Sequence, residues 1–136
     1  MTETRPLSIP DGLLVELARA KVIPGASAEA DRWMAMLNDR LDECVATLDR
    51  ERMAIEIVFR LKENGEDHLF WVSVRGAGGE GLDTSEAAID HDHQEQRKRT
   101  IIPGWTKAEP QLLLLPGPVR DAVLGWALRD GKSNAE

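Results

Sequence analysis

The stretch "AIDHDHQEQRKR", Ala88 to Arg99, carries two of the three histidines of the chain, alternating with Asp90 and Asp92 ahead of a basic run. These residue types could bind a metal, pass a proton between imidazole and carboxylate, or coat one side of a helix. Spacing decides among them. On a helix, positions two apart are separated by about 200°, so His91 and His93 point to opposite sides and cannot share one metal. The i, i+4 pair of a helical zinc site is absent. A strand would turn both the same way, but the capping pattern upstream and the lack of β-formers argue against one. No metal is therefore expected. His91, among Asp90, Asp92 and Glu95, reads as part of a solvated face. His93 follows Ile89 by four residues and precedes Arg97 by four, so it continues the apolar line. There it is either a packed histidine with a satisfied hydrogen bond or, with an ordinary pKa of about 6.5, a group for proton transfer or ligand contact.

The elements that must position these residues can be read along the chain. "LLVELARAKVI" (Leu13–Ile23) alternates as a strand, with Ala18, Ala20 and Val22 on one face and Leu17, Arg19 and Lys21 on the other. Pro24-Gly25 breaks it, and Ser27 is placed to cap a helix. Ala28 to Leu48 sets Ala30, Trp33, Met34, Leu37, Leu41, Val45 and Leu48 at helical spacing, with Trp33 and Cys44 on or beside the stripe, as core. "RMAIEIVFRL" and "HLFWVSVRG" are β-rich runs joined at Asn64-Gly65, a strong hairpin signal. "GAGGEGLD" has neither the spacing nor the Lys-Ser/Thr of a phosphate loop and reads as a mobile connection. A helix follows, with Asp83 and Glu86 as a capping-box variant and Pro103-Gly104 as its end. "PQLLLL" predicts a fourth strand. A last helix starts at Pro118 and ends at Gly131. The order β-α-β-β-α-β plus a C-terminal helix is the ferredoxin-like α+β plan, with a four-stranded antiparallel sheet and both main helices on one face.

Composition narrows the partners. The 136 residues carry a formal charge of -7, which disfavours nucleic acid and anionic membrane surfaces. No apolar run approaches the roughly 20 residues of a membrane span. "MTETRPLSIP" lacks a signal-peptide pattern, and a lone Cys44 makes no internal disulfide, so a cytoplasmic location is expected. Residues 1–12 read as an N-terminal extension, 13–131 as one domain and 132–136 as a frayed tail.

Alternation assigns the sheet faces. It puts Ile55, Ile57, Phe59, Phe70, Val72 and Val74 beneath the helices with Ala18, Ala20 and Val22. The open face then receives Arg19, Lys21, Glu56, Val58, Arg60, Trp71, Ser73 and Arg75, with Glu109, Gln111 and Leu113 from the fourth strand. A large aromatic beside Arg, Glu and Ser suggests a pocket. The alternative is an interface in which Arg19, Glu56 and Arg75 pair across strands.

The segments "RWMAMLNDRLDECVATLDRERMAIEIVFR", "LFWVSVRGAGG" and "SEAAIDHDHQEQ" resemble a family of small, uncharacterised bacterial proteins, a domain of unknown function. Its pattern includes "EWMxFLNxxMExVLxTLExEKM", "LYWYSVQGEGG" and "SxHxIDKKHLEFW". The likeness runs from about Glu16 to Gln96. His93, Trp71, Ser73 and Arg19 fall on like residues of the pattern, and His91 has no counterpart. The aromatic "LEFW" after the histidine is replaced here by "QEQRKR". The resemblance implies no reaction. More broadly the plan resembles dimeric α+β barrels, in which two ferredoxin-like sheets close around a cavity. That superfamily includes cofactor-independent monooxygenases, haem-degrading enzymes and mutarotases, so the plan does not choose a function.

The expectation is a homodimer whose open sheet face, apolar through Val58, Trp71 and Leu113, binds a small anionic or polar-aromatic molecule without a cofactor. Trp71 would stack on it, Arg19 and Arg75 would donate charge-assisted hydrogen bonds, and Ser73 would line the site. An enzyme would use the same pocket for isomerisation, cyclisation or cofactor-free oxygenation, with Glu56 or His93 as general base. A purely structural dimer would fill the face with its own side chains.

Overall fold

The structure, a computed structural model, describes residues 5–81 and 85–129. The elements run β1 (Leu13–Lys21), α1 (Ser27–Asp39), α2 (Leu41–Glu51), β2 (Met53–Glu63), β3 (Glu66–Gly76), α3 (Ala88–Thr100), β4 (Thr106–Ala108) and α4 (Gly117–Ala127). The strands form one antiparallel sheet in the order β2-β3-β1-β4. This is an α+β fold of ferredoxin-like order with an added C-terminal helix. The predicted hairpin is in place: Asn64 and Gly65 take φ of 53° and 77°, the left-handed pair that a two-residue turn requires.

Several expected boundaries shift. The long first helix divides at Arg40 (φ -112°, ψ 41°), whose guanidinium binds Glu43 at 2.7 and 2.9 Å and Asp92 of α3 at 2.6 Å. Ser27 lies inside α1 rather than capping it, and its hydroxyl donates to Asp67 at 2.9 Å. Asp83 and Gly131 lie outside the described residues. Ser85, not Glu86, meets the start of α3, accepting from the Ala87 amide at 3.1 Å. "PQLLLL" forms no strand; β4 lies just before it, at Thr106–Ala108. Pro110 has no N–H to give a ladder. The leucines still alternate, with Leu113 and Leu115 packed inward and Leu112 and Leu114 exposed.

The chief correction concerns the faces. β3 pairs Leu69 with Ala20, Trp71 with Ala18 and Ser73 with Glu16, while β2 pairs Arg60 with Leu69, Val58 with Trp71 and Glu56 with Ser73. Directly paired residues share a face. Leu69 and Ala20 pack against Ala30 and Trp33 of α1, so this entire row lies beneath the helices. Ile57, Phe59, Phe70 and Val72 face the other way, and Ile57 and Phe59 are exposed. Alternation misled because the sheet has an apolar core on each side. Leu13, Val74 and Ile55 on the second face are covered by Val123 and Ala127 of α4. α4 is pinned there by the Trp126 indole, which donates to the Met53 carbonyl at 2.9 Å.

The glycine-rich segment is not a free connection where it is described. A Cβ on Gly76 would lie 1.8 Å from the Ala127 carbonyl oxygen, and one on Gly79 would lie 2.0 Å from that of Glu51. The two glycines let the chain pass against the ends of α4 and α2.

Candidate functional site

Between the helices and the sheet lies a cleft of about 800 Å3. Its floor is the helix-side row of the strands, which supplies Glu16, Glu56, Trp71, Ser73 and Arg75. α1 contributes Trp33 and Leu37, α2 contributes Leu41, Cys44, Thr47 and Glu51 at one-turn spacing, and α3 contributes Ile89, Asp90, His93 and Arg97. The loop before β4 adds Trp105.

Of the residues singled out from sequence, Glu56, Trp71, Ser73, Arg75 and His93 all line this cleft. Arg19 does not. It pairs with Phe70, on the opposite face, and is exposed. Its removal, and the pairing of Arg75 with Glu16 at 3.2 Å, withdraw the two donors on which an anionic ligand was expected. Glu16 also receives Lys107 at 3.5 Å. Arg60 is likewise engaged, its guanidinium held by Asp67 at 2.6 and 3.0 Å.

Three aromatic rings meet His93 or one another. Trp33 and Trp71 lie 5.3 Å apart, His93 lies 5.2 and 5.5 Å from them, and Trp105 stands edge-on to Trp71 at 6.0 Å. The Trp33 indole donates to His93 Nδ1 at 2.8 Å. With Nδ1 accepting, the neutral ring carries its proton on Nε2. Burial drives the imidazole pKa down to about 4, Arg97 adding to the fall and Asp90 opposing it. His93 is thus neutral at pH 7, with its lone pair committed to Trp33. As a base it would first have to give up that bond; as it stands it is a donor.

The carboxylates behave differently. Glu56 accepts from the Trp71 indole at 2.6 Å. It reaches the open space of the cleft but is surrounded by protein, and this burial raises its pKa, with Asp90 adding and the indole bond opposing. Glu51 rises to about 7, first by burial and then by the charges of Glu56 and Asp90, with Arg50 and Arg75 opposing. Asp90 is 5 % exposed, and its Oδ2 has no hydrogen-bond partner among the described residues. Burial also raises the Cys44 thiol, keeping it protonated and a poor nucleophile.

Sequence reasoning passed over Glu51 and Trp105, and it set Asp90 with His91 on the solvated face, whereas Asp90 is buried against the cleft. Asp90 was legible, since it precedes His93 by three and so shares its helix face. Glu51 follows Leu41, Cys44 and Thr47 on one stripe of α2, visible once the helix is divided at Arg40. Trp105 sits in a loop, where no periodicity applies.

Among the described residues no group of three or more His, Cys, Asp or Glu side chains could hold a metal ion. None of the described helices is long and apolar enough to cross a membrane. The model of a family of unknown function, DUF6176, matches residues 13–121, from the start of β1 into α4. No curated protein and no solved structure matches the chain.

Proposed function

Because the chain belongs to that family of unknown function, we propose from its geometry that it is a small-molecule-binding protein whose site is the cleft between helices and sheet. The observation that carries this reading is the convergence of Trp71, Trp105, Glu51, Glu56, Asp90 and His93 on one open space, where a ferredoxin-like domain would otherwise pack a core. Apolar walls with a few convergent polar groups are what a small ligand needs. Ligand-observed NMR with a fragment collection tests it. Ser73→Phe, which fills the floor, should abolish the hits, and Phe59→Ser, on the opposite face, should keep them. Hits that survive Ser73→Phe and vanish with Phe59→Ser would place the site on the wrong side of the sheet.

A catalytic reading is favoured by one observation, the Glu51 carboxyl poised at about 7. A group that titrates there can both take and give a proton at neutral pH. Glu51 or Glu56 would then act as the base and neutral His93 as a donor to an enolate or oxyanion, in isomerisation or cyclisation. A pH-rate profile whose limb near 7 disappears in Glu51→Gln tests this.

We also propose that the chain forms a homodimer through the face opposite the cleft. Ile57, Phe59 and Leu61 are all exposed there, on a strand at the sheet edge whose free backbone groups invite pairing with another copy. Light scattering at micromolar concentration should give twice the 15.1 kDa chain mass, and Phe59→Asp should return it to the monomer value. A monomeric parent protein would contradict the dimer and leave the cleft untouched.

A further inference from the structure

We infer that the cleft takes an organic cation, an ammonium group on an aromatic or apolar body, with Asp90 as its counter-ion; this deepens the ligand-site reading and rests on it. Asp90 is the starting point. Its side chain is almost wholly enclosed in the cleft wall, and Oδ2 receives no hydrogen bond from any described residue. A buried carboxylate oxygen without a donor is costly to a fold, and positive charge brought into the cleft beside Asp90 lowers that cost.

The surroundings point the same way. Glu51, Glu56, Glu16, Glu80 and Asp90 line the cleft against three basic side chains, Arg75, Arg97 and Lys107, and Glu80 is paired with Arg50 at 2.8 Å. Two of those three are already committed to Glu16, and Arg97, two turns beyond Asp90 on α3, gives Oδ2 no bond. Negative charge is therefore left over at the end of the cleft where α2 and α3 approach β2. The charges of Glu56 and Asp90 both act on the Glu51 carboxyl, so the three acidic groups feel one another. An anionic ligand would enter against them.

The rest of the wall suits the body of such a cation. Trp71 and Trp105 meet edge to face at 6.0 Å, and indole rings offer both apolar area and a negative face to an alkylammonium. His93 is kept neutral by its burial, with Nδ1 accepting the Trp33 indole, so it adds no positive charge to repel a cation. Bare metal ions are poorly served, because no described cluster has the ligand spacing to coordinate one.

Calorimetry at pH 8 with phenethylamine, 2-phenylethanol and 3-phenylpropionate separates the possibilities, since the three share a phenyl body and differ mainly in charge. The amine should bind at least about tenfold more tightly than the alcohol, the scale of one charge-assisted hydrogen bond, and more tightly still than the carboxylate. Asp90→Asn should weaken the amine by about tenfold and leave the alcohol unchanged; a thermal melt of the variant confirms that it folds. Glu51→Gln should weaken the amine by a smaller factor. Equal or tighter binding of the alcohol or carboxylate overturns the cation inference and leaves the ligand site standing. Binding by none of the three overturns both. An Asp90→Asn protein that binds the amine as the parent does removes Asp90 as counter-ion.

Discussion

The space between the helix layer and the sheet is packed at one end and open at the other, although one sheet floors both. At the packed end Ala20 of β1, Val22 just beyond it and Leu69 of β3 close against Ala30 and Trp33, with Val22 bridged to Ile101 at the edge. Moving along the same face, β1 passes from Ala20 through Ala18 to Glu16, and β3 from Leu69 through Trp71 to Ser73 and Arg75. Above the packed end α1 buries Ala30 and Trp33 completely. Above the open end α2 buries no residue at all. The backbone plan is common to both ends; the side-chain series decides which is core and which is site. Trp33, Trp71 and His93 stand at the boundary, where apolar contact gives way to hydrogen-bonded polar groups.

The contrast predicts different responses to mutation. Trp33→Ala should cost about 3–5 kcal/mol, because the ring is fully buried and its loss leaves a void that the rigid packed end cannot close. Denaturant unfolding measures this, and a loss under about 1 kcal/mol would mean that the packed end is as loose as the cleft. His93→Ala should cost about 1–3 kcal/mol, since it orphans the buried Trp33 N–H. His91→Ala, on the exposed side of α3, should stay within about 0.5 kcal/mol. Equal midpoints for the two would break the helix register on which the site is built.

At the open end, removing charge should raise stability. The folded protein holds the Glu51 proton up to about pH 7, whereas the unfolded chain releases it near the ordinary 4.5. The parent therefore loses stability relative to Glu51→Gln as pH rises from about 4.5 to 7, by about 1–2 kcal/mol once solvent screening of this partly exposed group reduces the roughly 3 kcal/mol of the full shift, with no further change above. Burial is the main cause, Glu56 on β2 and Asp90 on α3 add to it, and Arg50 on α2 and Arg75 on β3 oppose it. His93 acts in the opposite sense. Its folded pKa of about 4 lies below the ordinary 6.5, so its contribution grows as pH rises between those values. Glu51→Gln should accordingly show a steeper rise in melting temperature between pH 4.5 and 6.5 than the parent. Asp90→Asn should gain up to about 1 kcal/mol at pH 7, because it removes a buried carboxylate whose Oδ2 has no donor among the described residues, less what its place in the first turn of α3 gives it. A loss there would show that Asp90 is satisfied in the folded protein.

The α+β order, the hairpin at Asn64-Gly65 and the separation of His91 from His93 were legible because each depends on local spacing. The side of the sheet was not. Ile55, Ile57 and Phe59 form the more apolar row of β2, yet that row turns away from α1 and α3, because α4 provides a second apolar cover at one end of it. Glu56 and Arg60 lie on the helix side since register with β3 carries them there, and register is a long-range property that alternation in one strand does not reveal. The site residues were therefore identified with the wrong backing. Trp71, Ser73, Arg75 and Glu56 stay together under either assignment, as they share a face, whereas Arg19 was joined to them only by the error.

The four tryptophans offer the most direct test of where the site lies. Three line the cleft, and Trp126 sits behind the sheet with its indole on the Met53 carbonyl. Following the four indole N–H signals by NMR while the protein is titrated with the phenyl amine, alcohol and carboxylate reads all of them at once. We expect Trp71 and Trp105 to move most, Trp33 to follow through its bond to His93, and Trp126 to stay in place. Movement of Trp126 alone, or of none of the four while binding occurs, would contradict a ligand site between helices and sheet.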